Sequence, residues 1–378
     1  VLDRPGSTPR FPPEAEEMAK KEIVNALEEM GANCGYSSAA CGTDILFLET
    51  MIERGAETHI FLPFAKEEFI ETSVRREGGN WVARFERVLD QATSIHYVTK
   101  DGYNGEDTLY SFCNDVLLGF AAMRGRGMDE DPKLLVFWDG QPGSEGGTGE
   151  LVKKWQKNFN DPVVIDANQV LDATTEINVI PRYEGETQPT FIIQDDPAKT
   201  LPRTIKTMLF ADVEGFSRLD EVKTPYFVEK FLGGISEIIK RLSSAPAFVN
   251  TWGDSFFAVF DKLEDGLELA LELRDYFAKG DWSDIGMMEG MEVRISMHAG
   301  PAYEKLDPIL GKLNFFGNHV NQAARIEPIV LPGSVFVSET VAALLSFGHE
   351  GFDFEYVGHL ELAKNFGSYP IYILQRTG

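Results

Sequence analysis

The stretch FADVEGFS, residues 210–217, decides the fold of the second half of this 378-residue chain. The apolar run over residues 207–211 predicts a buried strand that ends on the carboxylate Asp212. Gly215 then predicts a turn, and the pattern over residues 226–242 predicts a long helix. An acid at the carboxyl end of a strand, beside backbone N–H groups near a helix start, suits a metal ion together with a phosphate chain.

Two later stretches carry further polar groups of the same kind. TWGDS, residues 251–255, lies between two apolar runs and predicts a hairpin with Asp254 at its tip. GNHVNQAAR, residues 317–325, predicts a turn entering a helix, on which Asn321 and Arg325 share one face. Two acids, a turn that can cradle phosphate and an Asn/Arg pair are the groups that phosphoryl transfer requires.

These motifs resemble the catalytic domain of class III nucleotidyl cyclases, the family of adenylyl and guanylyl cyclases. The resemblance covers residues 204–377 and rests on FADVEGFS, WGDSFFAVF, VRISMHAGPA and FGNHVNQAAR, which occur in the order typical of the family. It implies an α+β, ferredoxin-like domain over residues 204–378 that converts an NTP to a 3′,5′-cyclic nucleotide and pyrophosphate. It also implies a homodimer through this domain, because the metal acids and the Asn/Arg pair of the family meet across a dimer interface and this chain carries both.

The same resemblance implies roles for individual residues around the substrate. Asp212 and Asp254, with the carbonyl of Val213, would hold two Mg²⁺ or Mn²⁺ ions as cofactors. The backbone that would cradle the phosphates belongs to Glu214, Gly215 and Phe216.

Three more residues complete the implied catalytic set. Asn321 would orient the ribose, and Arg325 would neutralise the charge that grows on the α-phosphate in the transition state. Lys364 is the candidate for binding the terminal phosphates, with an ordinary surface lysine as the alternative.

The two positions expected to read the nucleobase depart from the family pattern. The residue four before the hairpin acid is Lys in adenylyl and Glu in guanylyl cyclases, and here it is Asn250. The partner position is usually Asp or Thr for adenine and Cys or a similar residue for guanine, and here it is Asn314. Because an amide offers both a donor and an acceptor, the pair does not declare a base. ATP is the leading expectation, and GTP, CTP and UTP remain open.

Composition limits the classes of function. The chain has 60 acids against 35 Lys and Arg, a net charge of −25, which argues against a nucleic-acid binder and a basic membrane-surface protein. Its three cysteines form no CxxC pair or disulfide framework, and no apolar run reaches membrane-spanning length, so a reduced, cytoplasmic chain is expected. Because it begins at Val1 without Met, we expect a fragment of a longer protein.

The first half, residues 1–180, alternates helical and strand-like patterns. Helices are predicted over residues 14–30, 45–54, 81–92 and 109–124, and strands over residues 57–64, 94–98, 133–140 and 162–167. This alternation predicts a doubly wound, parallel, Rossmann-like sheet, although the first strand of such a sheet is not visible in the sequence. Residues 181–203, with several prolines, predict a linker with one short strand, TFII.

Two loops of small residues in this first domain each lead into a predicted helix. The segments GYSSAACGTDILFLETMIERGAETHIFLPF and WDGQPGSEGGTGELV resemble the SLOG superfamily of Rossmann-like domains that bind or process nucleotide-derived ligands. The resemblance implies a nucleotide-like ligand, and the alternative is a glycine-rich crossover that binds nothing. The candidate ligand-binding residues are Ser37, Ser38, Gly42, Asp44, Gly146, Gly147 and Thr148.

Two other functions compete with a cyclase gated by its first domain. One is a catalytically inactive cyclase fold that serves as a nucleotide receptor, which the presence of both metal acids and the Asn/Arg pair disfavours. The other makes the first domain the enzyme, for example a nucleoside- or NAD-processing hydrolase. Against this hypothesis, the first domain shows no evident nucleophile or catalytic acid beyond Asp44 and Asp139.

Overall fold

The computed structural model describes residues 15–76, 80–142, 146–175, 201–214, 221–283 and 291–377. The chain divides into two compact units, Val1–Pro202 and Arg203–Gly378, and each is described by itself. No helix in the described ranges is long and apolar enough to cross a membrane. The predicted strand TFII lies outside the described residues.

The N-terminal unit alternates helices with short strands. Its helices are α1 (Glu16–Met30), α2 (Thr43–Glu53), α3 (Lys66–Phe69), α4 (Trp81–Gln91), α5 (Thr108–Met128), α6 (Thr148–Asn158) and α7 (Ala167–Thr175). Its strands are β1 (Cys34–Ser37), β2 (Glu57–Leu62), β3 (Ser94–Tyr97), β4 (Leu135–Trp138) and β5 (Val163–Asp166). Strand β1 falls where the sequence predicted only a small-residue loop, because its four residues, CGYS, carry no apolar run.

All strand pairing in this unit is parallel, as predicted, but the strands form two sheets rather than one. One sheet has the order β1-β2-β3, and β4 pairs with β5 in the other. Strands β1 and β4 both line a cavity of about 780 Å³. Helix α1 packs on the unit through Ala19, Ile23 and Leu27, which lie in one core with Leu46 and Met51 of α2.

The C-terminal unit is an α+β domain, as predicted, built on one large sheet. Its strands are β6 (Arg203–Val213), β7 (Phe248–Trp252), β8 (Ser255–Phe260), β9 (Val293–Asp307), β10 (Lys312–Phe316), β11 (Val335–Ser338), β12 (Phe352–Leu362) and β13 (Gly367–Arg376). Its helices are α8 (Thr224–Arg241), α9 (Leu263–Lys279), α10 (Asn318–Ile326) and α11 (Glu339–Ser346). The strand order is β12-β13-β11-β9-β6-β8-β7, with β10 paired to β9. Strand β6 therefore has a neighbour on each side, and its last residues face both.

Candidate functional site

Asp212 lies at the carboxyl end of β6, between two strands that both supply it with a partner. The register pairs Asp212 with Ser255 on β8 and with Arg294 on β9. Ser255 Oγ donates to Asp212 Oδ1 at 2.7 Å, and Arg294 Nη2 donates to Asp212 Oδ2 at 2.6 Å. Antiparallel pairing thus fixes the orientation of this carboxylate from both sides.

Asp254 lies beside Asp212 because the hairpin turn ends next to it. Strands β7 and β8 pair up to Trp252 and Ser255, which leaves a two-residue turn of Gly253 and Asp254. Gly253 has a φ of +63°, a conformation that glycine adopts without strain. Burial raises the pKa of Asp254, and the charge of Asp212 raises it further. Two carboxylates that repel one another in this way are suited to share a cation.

Arg294 links three of the acids in this cluster. Besides Asp212, its Nε lies 3.3 Å from Glu327 Oε1 and its Nη1 lies 4.0 Å from Glu214 Oε2. The Arg294 Nε and Glu327 Oε1 atoms are both buried, and their geometry is too poor for a hydrogen bond despite the distance. The pKa of Glu327 is raised to about 7, chiefly by burial. The charge of Arg294 opposes this rise, and the charges of Asp212 and Asp254 add to it.

The cluster therefore holds four carboxylates, those of Asp212, Glu214, Asp254 and Glu327, around one guanidinium. Carboxylate oxygens are the ligands that Mg²⁺ and Mn²⁺ prefer. Burial is the main cause of the raised pKa values of Asp254 and Glu327, and the charge of Asp212 raises both further. The donor set fits divalent cations.

Helix α10 presents Asn321 and Arg325 away from the sheet. Ala323 and Ile326 are buried, and Ser296 Oγ of β9 donates to the Ala323 carbonyl at 2.9 Å. At 100° per residue, the Asn321/Arg325 face is turned about 150° from this buried face. Asn321 is exposed and Arg325 is partly exposed.

A histidine pair fixes the start of α10. His298 of β9 is buried, its Nδ1 lies 2.7 Å from Ser338 Oγ, and its Nε2 lies 2.8 Å from His319 Nδ1. A Cβ at Gly300 would come within 2.3 Å of His319, so the pair requires glycine there. Burial, and then the charge of His319, lower the pKa of His298 well below 6.5. The hydrogen bonds of His298 to Ser338 and His319 hold the start of the helix that carries Asn321 and Arg325.

Among the residues that the structure describes, the side chain of Asn314 forms hydrogen bonds and that of Asn250 forms none. Asn250 is a half-buried residue of β7. Asn314 of β10 donates through Nδ2 to Asp307 Oδ2 at 3.1 Å and accepts from the Phe315 N–H at 2.8 Å. Lys312 Nζ joins the two strands by donating to the Val249 carbonyl at 3.1 Å. One donor and one acceptor position of the Asn314 amide are thus already used.

The remaining residues predicted to bind phosphates or metal ions are placed in different ways by the structure. The Glu214 N–H, expected to face a phosphate, instead donates to the Glu292 carbonyl at 2.9 Å and extends the β6–β9 pairing by one residue. Gly215 and Phe216 lie outside the described residues. Val213, whose carbonyl was the third expected metal ligand, is the last residue of β6. Lys364 is exposed in a short turn with a φ of +61°.

A second cavity, of about 370 Å³, gathers the candidate residues of the N-terminal unit and is called the N-terminal cavity below. It opens at the carboxyl ends of β1, β4 and β5, next to the starts of α2 and α6. The predicted residues in its lining are Ser37, Ser38, Asp44, Gly146, Gly147 and Thr148. Gly42, the seventh, is not in the lining, and with a φ of +91° it forms the turn into α2.

Residues 202–376 match the family model described as the adenylate and guanylate cyclase catalytic domain. The C-terminal unit is a class III nucleotidyl cyclase catalytic domain. Curated relatives include guanylate cyclase 2G of Mus musculus, 28% identical over 153 residues, 38% of this chain and 14% of the relative. Another is the pH-sensitive adenylate cyclase MT1302 of Mycobacterium tuberculosis, 24% identical over 173 residues, 45% of this chain and 40% of the relative. The chain thus spans less than half the length of the curated relatives it matches.

Solved cyclase structures are also similar to this chain. The guanylate cyclase domain of RhGC from Catenaria anguillulae, in complex with GTP, is 20% identical and covers 46% of this chain and 98% of its own, with a TM-score of 0.40. The adenylyl cyclase CyaB from P. aeruginosa is 16% identical and covers 47% and 96%, with a TM-score of 0.41.

Sequence reasoning missed two residues of the cyclase domain cluster, Arg294 and Glu327. Arg294 stands between the apolar residues Val293 and Ile295, and a cation there, in a predicted strand of the same domain, was an available signal. Glu327 gave no such signal, because its contact with Arg294 depends on how α10 packs against β9.

Proposed function

We propose that the chain is a nucleotidyl cyclase that converts an NTP, ATP foremost, to a 3′,5′-cyclic nucleotide and pyrophosphate. The observation that carries this proposal is the meeting of Asp212 and Asp254 at adjacent strand ends, in a cluster whose acids outnumber its one arginine. In the reaction, the ribose 3′-oxygen forms a bond to the α-phosphorus while the bond to the departing pyrophosphate breaks.

Asp212 and Asp254, with the Val213 carbonyl, would hold two Mg²⁺ or Mn²⁺ ions. Such ions supply a lowered pKa at the 3′-hydroxyl and neutralise charge on the triphosphate. Arg294 and Ser255 keep the Asp212 carboxylate in one orientation, since each binds one of its oxygens. This preorganisation means that the carboxylate does not have to be reoriented when substrate binds.

We propose that two copies of the chain share each site. Asn321 and Arg325 project from the face of α10 opposite the one packed on β9. Side chains directed outward in this way are available to a second copy, where Asn321 would orient the ribose and Arg325 would face the α-phosphate. A symmetric dimer would then contain two equivalent sites.

We propose that the N-terminal unit is a regulatory domain with a Rossmann-like arrangement and a nucleotide-like ligand. Support comes from the N-terminal cavity, which gathers six of the seven candidate ligand-binding residues at the carboxyl ends of parallel strands. Ligands of doubly wound folds bind at this end of the sheet.

The direct test is incubation of the purified chain with each of the four NTPs and Mn²⁺, followed by mass identification of the products. We expect a 3′,5′-cyclic nucleotide and pyrophosphate, with ATP the best substrate. Absence of any cyclic product from a folded, dimeric preparation would contradict a catalytic role. If another NTP is cyclised in preference to ATP, the proposed base is wrong, but the proposed cyclase activity stands.

A further inference from the structure

The loops around the N-terminal cavity contain donors that could hold a phosphate, but the chain's own acids already use them. Asp44 Oδ2 accepts from Ser38 Oγ at 2.7 Å and from the Ala40 N–H at 3.2 Å. Glu150 accepts from the Gly146 N–H at 2.5 Å and from Ser111 Oγ at 2.8 Å. A phosphate would have to displace these carboxylates from the groups predicted to cradle it.

The helix ends at the cavity are neutralised in the same way. Asp44 lies in the first turn of α2 and Glu150 in the first turn of α6. A carboxylate in the first turn offsets the partial positive charge of a helix N-terminus. Glu150 is in turn paired with Lys154 at 3.0 Å, which also binds Asp115 at 2.7 Å. The cavity therefore gains little attraction for anions from either helix.

The charge of the lining also disfavours a polyphosphate. Among the described residues that line the cavity, Asp44 and Asp139 are charged, and no lysine or arginine is present. A triphosphate brought into this lining would face two carboxylates with no opposing side-chain charge.

The lining offers groups suited to hydroxyls and to a ring. Ser37 is 8% exposed and lines the cavity, and its hydroxyl has no hydrogen-bond partner in the part of the chain that the structure describes. Asp139 Oδ1 accepts from the Gln141 N–H at 3.0 Å, which leaves its other oxygen available. The aromatic residues Tyr36 and Trp138 also line the cavity, and Trp138 is fixed by donating from Nε1 to the Gln141 carbonyl at 2.8 Å.

We propose that the N-terminal cavity binds an uncharged nucleoside-class ligand, a ring base on a hydroxyl-bearing sugar, in preference to a nucleoside polyphosphate. Asp44 and Asp139 would accept hydrogen bonds from sugar hydroxyls, Ser37 would bind a polar group that enters the cavity, and an aromatic face would contact the base. This inference rests on the proposed ligand-binding role of the N-terminal unit and names the class of ligand.

The test is isothermal titration of the 378-residue chain in EDTA, on an Asp254→Ala background so that metal-dependent binding at the catalytic site does not contribute. The probes are adenosine, guanosine, cytidine and uridine, each beside its 5′-triphosphate. We expect one nucleoside to bind with one-to-one stoichiometry per chain and at least about tenfold more tightly than its triphosphate. Ser37→Leu, which fills the cavity, and Asp44→Asn should each weaken binding by about tenfold or more, whereas the exposed Asp90→Asn should not.

The outcomes separate the inference from the proposal beneath it. If a triphosphate binds more tightly than its nucleoside and Ser37→Leu abolishes this binding, the proposal of an uncharged ligand is wrong. The proposal that the N-terminal unit binds a nucleotide would still hold. Nucleoside binding that survives both cavity variants would overturn the inference. If no probe binds in a manner that depends on Ser37, both the inference and the ligand-binding role fail. Circular dichroism of each variant confirms that the comparison is made on folded protein.

Discussion

Both units carry acids beside a candidate site, at the starts of α2 and α6 in the N-terminal unit and at the ends of β6 and of the β7–β8 hairpin in the cyclase domain, but the surroundings of these acids differ. In the N-terminal unit, Asp44 accepts from the Ser38 hydroxyl and the Ala40 N–H, and Glu150 accepts from the Gly146 N–H and from the Ser111 hydroxyl of α5. In the cyclase domain, Asp212, Asp254 and Glu327 crowd around Arg294, and the pKa values of Asp254 and Glu327 are raised. Acids that gather around a single guanidinium favour the binding of a further cation, whereas an acid that already accepts hydrogen bonds from N–H groups and hydroxyls favours it less.

The largest expected effect comes from removing one unsatisfied acid. Asp254→Ala should lower kcat by about 10³-fold or more, about 4 kcal/mol, because one of the two metal positions loses its ligand. The variant should be at least as stable as the wild type, since it relieves repulsion from Asp212. The measurements are initial rates with Mn²⁺ and thermal unfolding. The matched control is Asp275→Asn, an acid paired with Arg274 on α9, which should keep wild-type activity.

A smaller effect concerns stability rather than turnover. Burial raises the pKa of Glu339, at the start of α11, from 4.5 to about 7. The folded state therefore holds a proton that the unfolded chain releases, and the free energy of unfolding falls as pH rises from about 4.5 to about 7. Glu339→Gln removes this loss, so the variant should be about 2 kcal/mol more stable than wild type at pH 8 and no more stable near pH 4.5. Denaturant unfolding at several pH values measures the difference, and a difference independent of pH would contradict the buried, protonated carboxyl.

The smallest expected effect concerns the nucleobase. Asn250→Lys combined with Asn314→Thr restores a family-like adenine pair. Threonine is used because an acid at 314 would stand beside Asp307 Oδ2. If ATP is the native substrate, the ATP/GTP ratio of kcat/KM should change by less than about tenfold, or 1.4 kcal/mol. An unchanged preference for a non-adenine base in the folded double variant would show that other residues read the base.

The sequence anticipated those features that depend on local pattern. Asp212 and Asp254 could be predicted to end a strand and to tip a hairpin, because apolar runs and turn residues define both positions. Strand β1 could not, since CGYS is too short and too poor in apolar residues to register as a strand. The Arg294–Glu327 contact joins β9 to the end of α10, and the sequence contains no pattern that encodes such packing.

The N-terminal unit shows the limit of motif reasoning more sharply. The small-residue loops that the sequence indicated as ligand-binding segments line the N-terminal cavity. They did not predict that Asp44 and Glu150 would occupy the loop donors, because those bonds depend on the final conformation of each loop. A loop motif therefore locates a site better than it identifies the ligand.

The claim that two chains build each catalytic site from the acids of one and the Asn/Arg pair of the other is tested most directly by mixing two inactive variants. Asp212→Ala and Arg325→Ala should each be inactive as homodimers. In a heterodimer both lesions fall in the same site, so the other site is intact, and an equal mixture at exchange equilibrium should recover about a quarter of wild-type activity. Activity of the mixture no greater than the sum of the two variants alone, with heterodimer verified by native mass spectrometry, would contradict the shared site.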